Sequence, residues 1–194
     1  MEHDKLMERY NDDIIRLRRE FHRHPELSFE ETETTRRIAS VLDEWGIPYQ
    51  INEEKHTGLV ARISGAHPGK AVALRADIDA LPVTEKTGLP FASEVPGRMH
   101  ACGHDNHIAM LLGAARMLLD IRDQIYGDVY LVFQPAEEAG KGAVYMKKFG
   151  DWFAKIGAIF GAHIWSSVPA GTVAIRTGPF MAAADKFTIR IHGV

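Results

Sequence analysis

The first 46 residues carry hydrophobic positions at the spacing of two amphipathic helices. Within residues 1–24 the apolar positions recur every three or four residues, at Leu6, Tyr10, Ile14, Leu17 and Phe21. This spacing predicts a helix that ends at Pro25. A second helix is predicted before Gly46, with an apolar face formed by Ile38, Val41, Leu42 and Trp45. Ser28 and Glu31 have the spacing of a capping box, which satisfies free amides at a helix start.

Short apolar runs follow the second helix and predict buried strands. Each is bounded by glycine, proline or charge, and the runs are 59–63, 71–76, 129–133 and 158–162. Between them, the apolar spacing predicts helices over 105–119 and 143–153. This alternation indicates an α/β domain with a central, mostly parallel sheet flanked by helices. Residues 172–176 and 187–191 alternate more strictly and are expected to form edge or antiparallel strands.

Composition limits the classes of function. Of the 194 residues, 45% are hydrophobic and 25% are charged, which is ordinary for a globular domain. The net charge is only −3 and basic residues are mixed with acids, so no nucleic-acid partner is expected. We expect no membrane partner, since no apolar run is long enough to span a bilayer and the N-terminus lacks a signal-peptide pattern. Cys102 is the single cysteine, which excludes an internal disulfide and favours a cytoplasmic location.

Polar side chains with catalytic potential follow three of the predicted strands. Asp77 and Asp79 follow the second apolar run, Glu137 and Glu138 follow the third, and His163 follows the fourth. In α/β sheets, sites form in the crevice beyond the carboxyl ends of the strands. We therefore expect these carboxylates and this imidazole to meet at one edge of the sheet.

The densest group of metal-binding residue types is the segment 99–107, Met-His-Ala-Cys-Gly-His-Asp-Asn-His. Thiolate, imidazole and carboxylate are the ligands of zinc and neighbouring transition metals. Gly103 can let Cys102 and His104 turn toward one centre. The segment therefore favours a metal site.

Simpler structural roles compete with chemistry at several positions. The single cysteine could be a small buried hydrophobe, and Asp105 could serve only as a helix cap. Asp77 and Asp79 could cap the turn after their strand. The glutamate pair could be solvated loop charge, although it follows a wholly apolar strand. His22 and His24 could shape the end of the first helix.

Five segments together resemble the aminoacylase and hippurate hydrolase family, a branch of the binuclear metal-dependent amidohydrolases that includes the plant auxin-conjugate hydrolases. The segments are 21–28 (FHRHPELS), 75–82 (RADIDALP), 99–107 (MHACGHDNH), 134–138 (QPAEE) and 161–163 (GAH). The fold that the resemblance implies is the phosphorylase/hydrolase-like catalytic domain of zinc exopeptidases. The activity that it implies is hydrolysis of the amide bond of N-acyl amino acids.

The resemblance also implies a ligand set and roles that spacing cannot decide. Two divalent transition metal ions, whether zinc, manganese, cobalt or nickel, would be bound by Cys102, His104, Glu138 and His163. Glu137 would be the general base, and Asp79 would be an acid that orients a ligand. Which of the adjacent glutamates binds metal follows from the family and not from the pattern.

The C-terminal end departs from the family pattern. Members carry a further metal-binding histidine near their end and an inserted lid or dimerisation domain. We expect residues 1–184 to be the N-terminal part of the catalytic domain and residues 185–194 to begin the insertion. The chain is then a truncated form that is inactive on its own, and its parent is expected to be a homo-oligomer.

Two other functions compete with the metal-dependent hydrolase. The first is a cysteine hydrolase with Cys102 as nucleophile and His104 or His107 as base. The second is a metal-binding fragment that folds but does not turn over. The acyl group and the amino acid stay open, with acetyl, benzoyl and diaminopimelate-derived amides among the candidates.

Overall fold

Helices and strands of the described chain lie within residues 1–164. The computed structural model describes residues 2–52, 57–182 and 187–193, and the chain divides into two units, residues 1–164 and 165–194. The helices are α1 (Glu2–Arg23), α2 (Thr32–Glu44), α3 (His104–Asp120), α4 (Gly142–Lys148) and α5 (Trp152–Lys155). The strands are β1 (Tyr49–Ile51), β2 (Leu59–Ser64), β3 (Ala71–Asp77), β4 (Asp128–Gln134) and β5 (Ile156–Gly161), and a short 3₁₀-helix spans Arg122–Gln124. None of the helices described is long and apolar enough to cross a bilayer.

The first two helices form where the apolar spacing predicts them. Leu17 and Phe21 of α1 and Ile38 and Leu42 of α2 are buried in one hydrophobic cluster. Leu112 of α3 and residues of the sheet complete this cluster. Each helix has one apolar face, and burial of that face determines which side of the helix is turned toward the sheet.

The capping box predicted from Ser28 and Glu31 is wrong. The side chain of Glu31 makes no capping hydrogen bond to α2. Glu26 takes this role, because its carboxylate oxygens accept the backbone N–H groups of Glu33 at 3.2 Å and Thr34 at 2.7 Å. The side chains of Ser28 and Glu31 reach instead to loops at the carboxyl ends of strands.

The five strands form one mixed sheet in the order β1-β2-β4-β3-β5. β3 is parallel to both β4 and β5, while β1 and β2 extend the sheet in antiparallel pairing. The predicted α/β sheet flanked by helices is confirmed, with an antiparallel edge. Since β4, β3 and β5 run in one direction, their carboxyl ends lie side by side, and Asp77 pairs with Gln134 at that edge.

The opposite face of the sheet is covered by α4 and α5. Met146 and Trp152 pack there against residues of β2, β3 and β4. The prediction of one helix over 143–153 is wrong, because a non-helical segment interrupts the helix between α4 and α5. Phe149 is extended and Gly150 has a φ of +66°, a conformation that a right-handed helix does not contain.

The unit formed by residues 165–194 contains turns but no paired strand among its described residues. The prediction of strands over 172–176 and 187–191 is therefore wrong for this structure. Apolar residues do alternate there, but Val173 and Ile175 are each 88% exposed. Alternation produces a strand only when a neighbouring strand completes the hydrogen bonds. The predicted insertion start at Asp185 lies outside the described residues.

Candidate metal centre

Three parallel strand ends bring the sequence-predicted residues to one edge of the sheet. Asp77 is the last residue of β3, Glu137 and Glu138 lie in the turn after β4, and His163 lies after β5. The loop that leads into α3 adds Cys102 to the same edge. The predicted meeting of these side chains is therefore seen in the fold.

The two nitrogens of the buried His104 ring have opposite surroundings. Nδ1 lies 2.8 Å from the backbone oxygen of Asp79. A carbonyl oxygen only accepts hydrogen bonds, so Nδ1 carries a proton. Nε2 is buried with no hydrogen-bond partner among the described residues. The nearest carboxylate oxygens to Nε2 are those of Asp77 at 3.6 Å, Glu138 at 3.8 Å and Glu137 at 4.0 Å.

Negative charge around His104 makes its position favourable for a cation. Burial alone lowers the pKa of His104, but the hydrogen bond to Asp79 and the charges of Asp77 and Glu138 outweigh burial and raise the pKa. The Nε2 position therefore favours positive charge, whether a proton or a metal ion supplies it.

Cys102 and His163 lie close together beside this ring. The sulfur of Cys102 is 3.5 Å from Nε2 of His163. Nδ1 of His163 lies 2.5 Å from the backbone oxygen of Ile164, so this ring also carries its proton on Nδ1 and turns Nε2 toward the thiol. Burial, followed by the hydrogen bond and charge of Glu138, raises the pKa of Cys102 to about 12. The thiol therefore stays protonated at neutral pH unless a cation joins it.

Three groups of donor atoms share His104, and two of them consist only of predicted metal ligands and the predicted base. One contains Cys102, His104 and His163, and the other contains His104, Glu137 and Glu138. Within each group the donor atoms all lie within 4.8 Å of one another. Sulfur, nitrogen and oxygen donors of these kinds suit zinc and its neighbours. The donor set and the unpartnered nitrogen of His104 together fit divalent transition metals.

Asp79 holds the turn that carries the two glutamates. Its carboxylate accepts the backbone N–H of Glu137 at 3.1 Å and that of Glu138 at 3.0 Å. The hydroxyl of Ser28 donates to the same carboxylate at 2.6 Å. Burial raises the pKa of Asp79, but the hydrogen bonds from His104, Ser28 and these amides outweigh it and lower the pKa. Asp79 thus bonds to a distant loop and does not simply cap its own turn.

Glu31 holds the same turn from the other side. Its carboxylate accepts the backbone N–H of Ala136 at 2.7 Å. Ala136 has a φ of +51°, which is unfavourable for a residue with a side chain. Two buried carboxylates, Glu31 and Asp79, therefore fix a strained turn at the end of β4.

Glu137 differs from Glu138 in its access to solvent. The side chain of Glu137 is 42% exposed and that of Glu138 is 24% exposed. Partial burial and the charge of Asp77 raise the pKa of Glu137, against the opposing effect of His104. A reachable carboxylate with a raised pKa is suited to accept a proton during a reaction.

Asp77 pairs with two side chains at the end of β3. Its carboxylate lies 2.5 Å from Nδ1 of His107 and 2.8 Å from the guanidinium of Arg75. Burial raises the pKa of Asp77, but the hydrogen bond from His107 and the charge of Arg75 outweigh it and hold the pKa at about 2. Asp77 is therefore an ionised acceptor and does not act as a turn cap.

Asp105 forms an ion pair between two helices. α3 has no side-chain cap, so the interpretation of Asp105 as a helix cap is wrong. Its carboxylate lies 2.8 Å from Nδ1 of His22 and 2.7 Å from Nε of Arg18. Both partners belong to α1, so this buried contact joins α1 to the helix that begins with His104. His24 bonds to the backbone oxygen of Glu20 at 2.9 Å, at the end of α1.

Four residues contribute to the centre in ways that the pattern does not assign. Ser28 and Glu31 have a cap-like local spacing, which hides their long-range bonds. His107 follows His104 by one helical turn, and this spacing was the available signal. Ile164 contributes its backbone N–H and its carbonyl oxygen. A single sequence does not reveal such backbone contacts. Its side chain packs against Gly103, where an added Cβ would lie 2.4 Å from Cδ1 of Ile164.

Comparison with known proteins shows what the chain is similar to. The model of the peptidase family M20/M25/M40 matches residues 73–193. The chain is 51% identical over 180 residues to an N-acetyl-L-cysteine deacetylase of Bacillus subtilis, covering 93% of this chain and 43% of the relative. It is 48% identical over 182 residues to the thermostable carboxypeptidase 1 of Saccharolobus solfataricus, covering 93% of this chain and 46% of the relative.

A solved structure shares both the fold and the sequence. A dinuclear metal-binding peptidase of the M20 family from Bacillus subtilis superposes with a TM-score of 0.85 and 44% sequence identity. The match covers 89% of this chain and 48% of that one. The chain therefore spans less than half the length of each of these three proteins.

Proposed function

Because this chain belongs to the peptidase family M20/M25/M40, we propose that the whole protein is a metal-dependent hydrolase of N-acyl amino acids. The proposed ligands of two divalent transition metal ions are Cys102, His104, Glu138 and His163. The observation that carries the proposal is the buried, unpartnered Nε2 of His104, which three carboxylates surround. The family resemblance drawn from the five sequence segments is confirmed by the family match and by the relatives.

The proposed ligands are oriented by neighbouring groups. Nδ1 of His104 and Nδ1 of His163 each donate to a backbone oxygen, so the ring proton is on Nδ1 and Nε2 has a lone pair to offer in both rings. Asp79 holds the backbone of Glu138. When bound, such ions lower the pKa of water from about 16 toward about 7 and polarise a carbonyl group.

Glu137 is the proposed general base. It is the more exposed member of the glutamate pair, and burial together with the charge of Asp77 raises its pKa, which makes it a better proton acceptor. Its carboxylate is also farther from Nε2 of His104 than that of Glu138. These differences support the assignment of Glu138 to metal and Glu137 to proton transfer, which typically contributes about 10²- to 10⁴-fold to a rate.

The substrate class rests on the relatives. An N-acetyl-L-cysteine deacetylase acts on an N-acyl amino acid, and it is about half identical to this chain. The carboxypeptidase relative supports a second candidate, cleavage of a C-terminal residue from a peptide. Both reactions hydrolyse an amide bond, so the same residues serve either one. Acetyl, benzoyl and diaminopimelate-derived amides are all candidate substrates.

The cysteine hydrolase interpretation has little support from the site. A nucleophilic cysteine needs a depressed pKa, whereas the pKa of Cys102 is raised to about 12. His107 is a poor candidate for its base, because both of its ring nitrogens already have partners, Asp77 and the backbone N–H of Ile164.

Location is proposed from the chemistry of the thiolate ligand, and assembly is proposed from the family. A thiolate ligand is preserved best in a reducing compartment, so we place the whole protein in the cytoplasm. A homo-oligomer is proposed from the family resemblance alone. Size-exclusion chromatography with light scattering on the whole protein tests the assembly directly.

The proposal is tested with the whole protein after chelation of its metal. Hydrolysis of N-acetyl and N-benzoyl amino acids is compared with hydrolysis of dipeptides, before chelation, after it, and after zinc or manganese is restored. We expect activity to fall on chelation, to return with metal, and to favour the N-acyl substrates. A preference for dipeptides would support the carboxypeptidase candidate, and activity that survives chelation would contradict a metal-dependent site. Metal content and hydrolysis are also measured for the 194-residue chain beside the whole protein. This comparison tests whether these residues alone bind metal without turnover.

A further inference from the structure

The backbone of Ile164, the residue that follows His163, forms a hydrogen bond with a histidine through its N–H and another through its carbonyl oxygen. The backbone N–H of Ile164 lies 3.0 Å from Nε2 of His107. The backbone oxygen of Ile164 lies 2.5 Å from Nδ1 of His163. The backbone of Ile164 therefore joins the helix α3 to the proposed metal ligand His163.

The direction of these hydrogen bonds fixes the protonation of His107. A backbone N–H can only donate, so Nε2 of His107 accepts and carries no proton. The ring proton then lies on Nδ1, which donates to the carboxylate of Asp77 at 2.5 Å. Asp77 is held in place by Arg75 at 2.8 Å. The arrangement selects the neutral Nδ1-protonated form of His107.

Distance alone would make His107 a candidate metal ligand. Donor atoms of Asp77, His104 and His107 lie within 4.8 Å of one another. Both nitrogens of His107 are nevertheless engaged, one as a donor and one as an acceptor. His104 differs, because its Nε2 has no partner in the described part of the chain. The neighbouring rings of His104 and His107 therefore differ in role. His104 presents an unpartnered nitrogen, whereas His107 makes hydrogen bonds through both of its nitrogens.

His163 needs such support because burial does not hold it. Its side chain is exposed at the end of β5. His107 is nearly fully buried and is anchored to β3 through Asp77. The side chain of Ile164 also packs against Gly103, between Cys102 and His104. Ile164 thus connects the buried His107 with His163 and with the loop that carries Cys102 and His104.

We infer that His107 is a positioning residue, which accepts the backbone N–H of Ile164 on Nε2 and thereby directs the neighbouring His163 toward Cys102. This inference rests on the proposed function, since it takes His163 as a metal ligand. Its chemical basis is general: groups that orient a metal ligand commonly change metal affinity by about 10- to 100-fold when they are removed.

The test uses two substitutions of His107 in the whole protein. Glutamine offers one acceptor and one donor, so His107→Gln retains a group for the Ile164 N–H and a group for Asp77. His107→Leu retains neither. Metal-free protein is titrated with cobalt(II), and the sulfur-to-cobalt absorption band reports binding beside Cys102. His163→Asn gives the spectrum of a site that lacks the ligand itself, and His67→Asn, at an exposed position, is the matched control.

We expect His107→Leu to weaken cobalt binding by about 10-fold or more and to shift the spectrum toward that of His163→Asn. We expect His107→Gln to restore most of the affinity. Nitrogen NMR of histidine-labelled, metal-free protein should show His107 protonated on Nδ1 and unprotonated on Nε2.

Three results would overturn the inference. Equal loss in His107→Gln and His107→Leu would mean that the ring itself binds metal, and unchanged binding in both would mean that His107 has no positioning role. A proton on Nε2 would contradict the hydrogen-bond assignment. Failure of the unaltered protein to bind cobalt would instead overturn the proposed function, so the two failures are distinguishable.

Discussion

The carboxylate of Glu31 accepts the backbone N–H of Ala136 at 2.7 Å, although 105 positions separate the two residues in the chain. Ala136 has a φ of +51° and directly precedes Glu137. Glu31 is fully buried, and its second carboxylate oxygen has no hydrogen-bond partner within the described residues. Burial raises the pKa of Glu31 to about 7. A residue of the α2 start therefore stabilises the turn that carries the proposed general base.

Replacing Glu31 by glutamine should change how stability depends on pH. A carboxyl group whose pKa rises from 4.5 to about 7 on folding stabilises the fold fully below pH 4.5. That contribution is lost as the pH rises to about 7, at up to about 1.4 kcal/mol per pH unit. We expect urea unfolding of the 194-residue chain to show this decline, and Glu31→Gln to lack it.

The exposed residue Glu44 provides the matched control for this experiment. Glu44→Gln should keep the pH dependence of the unaltered chain. If Glu31→Gln shows the same slope as Glu44→Gln between pH 4.5 and 7, the pKa of Glu31 is not raised and this account of the turn is wrong.

Removing the charge of Glu138 should make Cys102 more reactive in the metal-free chain. After burial, the hydrogen bond and charge of Glu138 are the main causes of the raised pKa of Cys102. Glu138→Gln removes that charge, and each unit by which the pKa falls raises the thiolate fraction about 10-fold at pH 8. Alkylation by iodoacetamide, followed by mass spectrometry, should be slow in the unaltered chain and in Glu44→Gln and faster in Glu138→Gln. Rapid alkylation of the unaltered chain would instead support the interpretation of the protein as a cysteine hydrolase.

Truncating Asp105 should destabilise the fold strongly. Its buried carboxylate pairs with His22 and Arg18, so Asp105→Ala leaves a guanidinium and an imidazole without their partner. Loss of one member of a buried ion pair typically costs about 3–5 kcal/mol. Chemical denaturation should show this loss for Asp105→Ala and almost none for Asp123→Ala, whose side chain is exposed. A small effect at Asp105 would mean that solvent reaches this pair.

The parts of the fold that were predictable are those set by local periodicity. β3 and β4 are apolar runs packed against the layers on both faces of the sheet. The run over 158–162 does form a strand, β5, but the prediction that it is buried is wrong, because β5 is mostly exposed. The carboxyl-end rule places Asp77, Glu137 and His163 together. β1 was not predicted, because a strand of three residues is too short to show an alternation of apolar and polar positions. The antiparallel edge also left no local signal, since strand direction depends on distant pairing.

The supporting groups of the centre were harder to predict than the residues whose donor atoms meet there. Local spacing assigned Glu31 to a helix cap, but its carboxylate is used by a loop from another part of the chain. The backbone N–H and carbonyl oxygen of Ile164 make contacts that depend on backbone direction and not on residue type. Residue chemistry thus indicates the candidate ligands, while long-range hydrogen bonds decide which groups hold them in place.

Glutamine at position 137 should separate metal binding from turnover in the whole protein. Glu137→Gln keeps the shape of the side chain but removes its ability to accept a proton. We expect metal content to stay normal while kcat falls by about 10²-fold or more. Near-normal turnover in Glu137→Gln would transfer the role of base to another residue, of which Glu138 is the nearest candidate.

The most direct test of the central claim is the metal content of the purified whole protein, measured by elemental analysis beside Cys102→Ala, His163→Ala and the surface control His67→Asn. The account predicts up to two transition metal ions per chain in the unaltered protein and in His67→Asn, because the sulfur, nitrogen and oxygen donors around His104 fit such ions. It predicts clear depletion in Cys102→Ala and in His163→Ala. Unchanged metal content in both of these variants, or no transition metal in the unaltered protein, would contradict it.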